Sequence, residues 1–306
     1  MRPAVPHVPH AGRRYPDPVE AEDSRVDRQD TGRAAAAPGQ VTVAPPGGPV
    51  LSVAKQVAER VLWARVGLHR RAADRRGRPR PRPRPVPACD VLGTTAEWQE
   101  AVAECRRLGL PLHHDRPKNW DALGAVSTVL ERCGTVAAVL DAGSARYSSV
   151  LPWLRLYGLT DLVGTNIEFS GTVTRDGVVF RYGDITAMDF PDGRFDAVTC
   201  MSVVEHGVDV DAFLAEAARV LRPGGVLVVS TDYDQDPPDT SGVSMYGHPV
   251  KIFSPADLEV LAHTAERHGL RMLGDVAGLT AHAERPVHWK RTGLDYTFVR
   301  LAFVRS

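Results

Sequence analysis

Five short apolar runs, at 136–140, 161–164, 178–182, 195–200 and 226–230, constrain this chain more than anything else in it, and each is bounded by Gly, Asp or Pro. Between several of them apolar residues recur at helical spacing, notably over 149–157 and 210–221. Strands that are apolar throughout, rather than alternating, are buried on both faces. The pattern therefore predicts an α/β fold, a Rossmann-like, doubly wound, mostly parallel sheet with helices on both faces. A further helix over 254–268 and a last aliphatic segment at 296–304 close the chain. Ligands of such sheets bind beyond the carboxyl ends of the strands, so the residues just after each strand are the ones to read for chemistry.

The flanks set the domain organisation. Residues 1–50 are Pro, Gly, Ala, Arg and Asp with almost no aliphatic periodicity, which cannot offset the entropy of ordering a backbone, and a disordered N-terminal arm is expected. Residues 51–73 carry apolar positions at helical spacing broken by basic ones, which predicts a short amphipathic helix. Arg76 to Pro87 then alternates Arg with Pro, a pattern that forbids helix and ladder pairing and favours an extended, solvated basic linker. The expected division is an arm over 1–87 and a globular domain over 88–306, with everything before about Val86 dispensable for ligand binding. Residues 51–87 hold 11 Lys and Arg against 2 Asp and Glu in a chain of net charge 0, so the globule is acidic. That balance argues against nucleic acid as a partner of the globule, although a basic Arg-Pro segment could touch nucleic acid or an anionic surface by counterion release.

Within the globule, Thr94 and Glu97 have the spacing of a capping box and predict a helix over 95–107. Asn119 is a candidate cap for a second helix over 120–132, ending at Gly134. The pair His113-His114 lies in an irregular stretch with no third ligand at useful spacing, and no metal is expected there. Four cysteines without a C-x-x-C pair point to a reducing, cytoplasmic setting. No run of 18 apolar residues exists and no secretory leader is evident, so no membrane span is expected. The sequence is silent on oligomeric state.

After the first strand stands Asp141-Ala142-Gly143-Ser144-Ala145-Arg146-Tyr147. A strand-to-helix turn beside a ligand favours Gly, and only Gly143 remains of a G-x-G-x-G series, with Ala145 a small substitute. The amides a dinucleotide pyrophosphate requires are not secured, which disfavours a nicotinamide cofactor, whereas a ligand without phosphate is less demanding. After the second strand come Asn166, Ile167 and Glu168; Asn166 offers ribose one carbonyl oxygen and two donor hydrogens, and alternation puts Glu168 beyond the contact point. After the third strand, Asp184 can accept from an exocyclic amine while Ile185 packs against an aromatic base. After the fourth stand Met201, Ser202 and Val203, then Glu205 and His206. Each has an ordinary structural reading as well: Gly143 as a plain turn residue, Asp184 as a loop cap, Asp141 as an anion at a helix start.

The stretches G-D-I-T-A-M-D-F-P-D-G-R-F-D-A-V-T-C-M-S-V-V-E-H, from Gly183 to His206, and A-R-V-L-R-P-G-G-V-L-V-V-S, from Ala218 to Ser230, resemble class I S-adenosylmethionine-dependent methyltransferases. The likeness spans roughly residues 136–231. It implies S-adenosylmethionine as cofactor, with its amino acid part on Asp141, Gly143 and Ala145. The ribose would fall on Asn166 and Ile167, the adenine on Asp184 and Ile185, and the methionine portion along Met201, Ser202 and Val203. Methyl transfer needs an aligned acceptor and, for a hydroxyl, a base. His206 is the candidate base; alternatively it packs or orients the Glu205 loop. Asp232-Tyr233-Asp234 and Tyr246-Gly247-His248 are further candidates for an acceptor pocket or are solvated loops. A small-molecule acceptor, a sugar or a secondary metabolite, is expected, with oxygen preferred over nitrogen. A protein that keeps this fold as a binding scaffold, without the chemistry, is the alternative.

Overall fold

The computed structural model describes residues 49–76, 80–245, 248–279 and 281–306. The chain begins with α1 (Pro49–Arg76), β1 (Asp90–Val91), α2 (Thr95–Arg107) and α3 (Lys118–Arg132). The central part is β2 (Ala138–Ala142), α4 (Val150–Leu156), β3 (Asp161–Asn166), β4 (Val173–Arg175), β5 (Val178–Tyr182), β6 (Phe195–Met201), α5 (Val210–Val220) and β7 (Leu221–Tyr233). It ends with β8 (Ser244–Met245), β9 (His248–Pro249), α6 (Pro255–Arg267), β10 (Leu270–Met272), β11 (Val287–Trp289) and β12 (Leu294–Arg305).

The five apolar runs become β2, β3, β5, β6 and β7, which pair in parallel in the order β5-β3-β2-β6-β7. β12 runs antiparallel along β7 from Thr297 opposite Tyr233 to Val304 opposite Val226, and β4 is antiparallel to β5. From β2 the chain steps through α4 to β3, whereas from β6 it steps through α5 to β7 on the other side. Right-handed crossovers leaving in opposite directions put the two helices on opposite faces of the sheet. α3 and α4 pack together, as do α5 and α6, and every residue of β2 is buried, which explains why its run is apolar throughout. The order reverses between β2 and β6, so the crevice at their carboxyl ends is where a ligand belongs.

Several boundaries differ from expectation for local reasons. Val136 is 94% exposed and precedes β2, while β7 extends from Leu221, opposite Phe195 of β6, through Tyr233, where β12 pairs with it from Val226 onward. α2 starts as predicted, with the Thr94 hydroxyl accepting from the Glu97 amide. α3 instead starts at Lys118 behind Pro117, whose fixed φ suits a helix entry; Asn119 Oδ1 accepts from the His113 amide at 2.9 Å and caps nothing. Between β3 and β5 there is a hairpin in place of a helix, its two-residue turn formed by Asp176 and Gly177 with φ of 48° and 87°. An Asp-Gly pair with both residues at positive φ matches the twist of the flanking strands.

The expected disorder of 1–50 falls, except for its last two residues, outside the described ones. The segment 51–87 is expected as part of the same arm, but its described residues, 51–76 and 80–87, are docked on the globule instead. α1 is longer than 51–73, and Leu62, Trp63 and Val66 enter the core, with Trp63 Nε1 donating to the Arg146 carbonyl at 2.9 Å. Arg70 pairs with Asp176 at 2.8 Å and Glu59 with Arg175 at 2.9 Å. Nor is the Arg-Pro segment a solvated linker from Arg80 onward. The Arg80 guanidinium donates to the carbonyls of Leu108, Gly109 and Leu156, and Arg82 donates to that of Leu130. These carbonyls lie at the ends of α2, α4 and α3, where a helix leaves acceptors unpaired and its dipole favours a cation.

Candidate active site

At the carboxyl ends of β2, β3, β5 and β6 lies a cleft of about 390 Å³. Of the residues singled out from the sequence, Gly143, Ala145, Asn166, Ile167, Asp184, Ile185, Val203 and His206 line it together. Asp141, Met201 and Ser202 do not.

Asp141 sits behind the turn, 2% exposed, with its Oδ1 accepting from Thr199 Oγ1 at 2.6 Å. Burial pushes its carboxyl up to about 6, against the hydrogen bonds from Ser144 and Thr199 that favour the charge. Its work is to hold the turn on β6. Gly143 has φ of +80°, and a Cβ there would meet Val203 Cγ2 at 2.6 Å, so the single surviving glycine is needed both for its conformation and for the closeness of the loop after β6. Ser202, at the end of β6, has φ of +53°, a strained position for a non-glycine residue and one that re-aims the chain toward the cleft.

The Asn166 side chain is already occupied. Its Nδ2 donates to the carbonyls of Gly143 at 3.2 Å and Ser144 at 3.3 Å, and its Oδ1 accepts from the Glu168 amide at 2.8 Å. It clamps the turn after β2 to the end of β3. Glu168, by contrast, lines the cleft, because the chain turns at Asn166 and strand alternation no longer applies beyond it. Asp184 Oδ1 accepts from both the amide and the hydroxyl of Thr186, at 2.8 and 2.7 Å. The loop-cap reading is therefore correct for one oxygen. Among the described residues no hydrogen bond reaches the other oxygen, which leaves it for a ligand donor in a cleft that Ile185 also lines.

His206 lies 4.0 Å from Glu205, and burial together with the charge of Lys118 lowers its imidazole to about 4, so it is neutral at physiological pH. A polar cluster that no sequence motif marks stands behind it. Lys118, at the start of α3, is held above its ordinary range by Asp121, Asp232 and Glu205, which outweigh the opposing effect of burial. Burial pushes Glu205 and Asp232 upward, as does the neighbouring charge of Asp232 on Glu205. Ser230 Oγ donates to Asp121 at 2.8 Å and Thr231 Oγ1 to Glu205 at 3.2 Å. Asp115 is a fourth acid acting on Lys118, and the buried carboxyls of Glu205 and Asp232 take up a proton more readily than exposed ones do. No sequence spacing connects α3 with the ends of β6 and β7; only the fold brings them together. Of the other acceptor candidates, His248 lines the cleft, Asp234 is spent on Arg285 at 2.6 Å, and Tyr246 and Gly247 lie outside the described residues. His113 is tied to Asn119 and Asp115.

Residues 140–229 match the model of a methyltransferase domain family. The chain is similar to a ubiquinone biosynthesis O-methyltransferase of Bradyrhizobium sp. (strain ORS 278), 56% identical over 52 residues, which is 17% of this chain and 20% of that protein. It is also similar to the 27-O-demethylrifamycin SV methyltransferase of Amycolatopsis mediterranei, 31% identical over 121 residues, 39% of this chain and 36% of that one. A third relative is the sterol 24-C-methyltransferase of Yarrowia lipolytica, 38% identical over 69 residues, 21% and 18%. The chain thus spans between 18% and 36% of the length of these relatives. Among the described residues no helix is long and apolar enough to cross a membrane.

Proposed function

We propose that this chain, whose residues 140–229 belong to the methyltransferase domain family, is an S-adenosylmethionine-dependent methyltransferase of a small molecule, with oxygen the preferred acceptor atom. The observation that carries the reading is one cleft at the topological switch point that gathers a carboxylate oxygen open to a donor, two isoleucines, a positive-φ glycine and a neutral imidazole. That set fits the cofactor. The ligand has no phosphate, so one Gly and one Ala suffice for close approach of the turn.

When bound, the cofactor supplies a methyl group on a sulfonium, with a thioether as leaving group. The chain's own residues do the rest. Asp184 accepts from the adenine amine, and Ile167 and Ile185 cover the apolar faces. Glu168 accepts from the ribose hydroxyls, a role the sequence places on Asn166, while Asn166 and Asp141 hold the turn in place. Gly143 and Ala145 leave room for the amino acid part, with Val203 against it and Met201 and Ser202 shaping the bend behind. His206 takes the proton of a hydroxyl acceptor, with the Glu205 carboxyl 4.0 Å from its Nε2. The names of two relatives speak of oxygen acceptors and one of carbon, which supports a small acceptor and favours oxygen. All four cysteines are free thiols, in keeping with a cytoplasmic setting.

The test is titration of S-adenosylhomocysteine into the wild type and Asp184→Ala by calorimetry. The expected result is micromolar binding, about 8 kcal/mol, weakened at least tenfold by the substitution. Equal affinity in both proteins would remove Asp184 from the site and sink the reading.

A further inference from the structure

A second cleft of about 490 Å³ lies between α1 and residues 110–116, and Tyr147 lines both it and the first. We propose that this second cleft is the acceptor site and that its ligand is an amphipathic anion, an apolar skeleton bearing a carboxylate or a phosphate. The word acceptor rests on the methyl-transfer reading; the ligand chemistry does not.

The walls supply the apolar half. Val61 and Leu62 from α1 face Leu110, Pro111 and Leu112 across the cleft, and a volume of this size suits a small molecule. Arg65 and Arg116 supply the charge, on opposite sides of the same cleft. Four other arginines of this face have carboxylate partners, Arg70 and Arg155 on Asp176, Arg146 and Arg175 on Glu59. Among the described residues neither Arg65 nor Arg116 has a carboxylate within 4.0 Å. A guanidinium presents a planar fork that matches carboxylate and phosphate oxygens alike, and one left unpaired beside an apolar cavity is a ready anion partner. The surroundings keep the field positive. Burial is the first reason that the imidazoles of His69, His113 and His114 sit below their ordinary range and stay neutral; Arg80 and Arg65 add to it at His69, His114 and Lys118 at His113, and Lys118 at His114, where Asp115 works the other way.

Tyr147 connects the two sites. It comes from the turn after β2, where a glycine-rich series would have a small residue, and its ring lies 5.8 Å from that of His114. An acceptor anchored by its anionic end near Arg65 and Arg116 would have its far end directed past Tyr147 toward His206. The charged anchor then fixes which atom of the acceptor reaches the methyl group.

The probes are decanoate, decyl phosphate and decanol, titrated into the full chain by calorimetry, with S-adenosylhomocysteine titrated in parallel. Both anions should bind at least tenfold more tightly than decanol, a difference of about 1.4 kcal/mol. The Arg65→Gln/Arg116→Gln protein should lose that discrimination, Ala58→Trp should block all three probes, and both variants should still bind S-adenosylhomocysteine. The stronger of the two anions identifies the headgroup. Equal binding of decanol, unchanged discrimination in the double variant, or no binding of any probe to protein that binds S-adenosylhomocysteine would overturn the proposal. Anion binding without S-adenosylhomocysteine binding would leave the cleft's ligand chemistry standing and remove the methyl-transfer reading alone.

Discussion

Replacing Gly143 with Ala tests how closely the loop after β6 is pressed against the turn after β2. Two costs add. At φ of +80° an L-residue is strained by about 1–2 kcal/mol. The new Cβ would also lie 2.6 and 2.8 Å from the two methyl carbons of Val203, well inside contact distance. Valine is stiff at χ1, so relief must come from the backbone of the loop, and overpacking of this kind costs about 1–3 kcal/mol. The sum predicts a destabilisation of about 2–5 kcal/mol in urea unfolding, with weaker S-adenosylhomocysteine binding because both residues line the cleft. The two costs separate in a double-mutant cycle. With Val203→Ala present, only the Cβ of residue 203 remains near the new Cβ, at 3.2 Å, so Gly143→Ala should cost the backbone strain and little more, giving a coupling of up to about 1–3 kcal/mol. Additive effects of the two substitutions would refute the contact, and a cost below about 0.5 kcal/mol for Gly143→Ala alone would refute the strain as well.

Three more outcomes are expected. Gly124→Ala should destabilise despite the better helix propensity of alanine, because its Cβ falls on the guanidinium of Arg300, which is 1% exposed and stacked 4.5 Å from the Trp120 ring; a gain of about 1 kcal/mol, the propensity term alone, would contradict this. The His206 imidazole should titrate near 4 by NMR. The unfolded chain takes up that proton near 6.5 and the folded chain only near 4, so stability falls as pH drops through this window and is untouched above it, by about 3 kcal/mol in all. Asp141, raised to about 6, works in the opposite sense below that pH, so the quantity to read is the difference between wild type and His206→Gln; no difference between the two curves would contradict the shift. A chain beginning at Pro87 should be destabilised and should bind S-adenosylhomocysteine poorly. It lacks Leu62, Trp63 and Val66, each worth about 1.5–3 kcal/mol of burial, and the Trp63 bond to Arg146 beside the cleft. Undiminished binding would restore the expectation that residues before about Val86 are dispensable.

The parallel core is legible in the sequence because burial on both faces leaves an unmistakable run, as in β2 and β6. The hairpin at Asp176-Gly177 has a local signal too, an Asp-Gly pair between V-T-R and V-V-F, though the expected strand-and-helix alternation passes over it. The Arg-Pro strap departs from expectation for a different reason. Arg80 and Arg82 look solvated until the ends of α2, α3 and α4 are brought to them, and no local pattern announces that. The cleft divides in the same way. Asp184 and Gly143 are legible because strand ends mark them, whereas Asn166 serves the backbone and Glu168 the cavity, a swap decided by the turn at the end of β3. Lys118, Asp121, Glu205 and Asp232 come from three separate elements, and their grouping exists only in the fold.

Hydrogen–deuterium exchange of the full chain with and without S-adenosylmethionine tests the central claim most directly. Protection confined to the backbone around 143–147, 166–168, 184–186 and 203–207 is the predicted result, since these four segments meet only in the cleft between β2 and β6. Protection elsewhere, or none in protein shown to be folded, would contradict it.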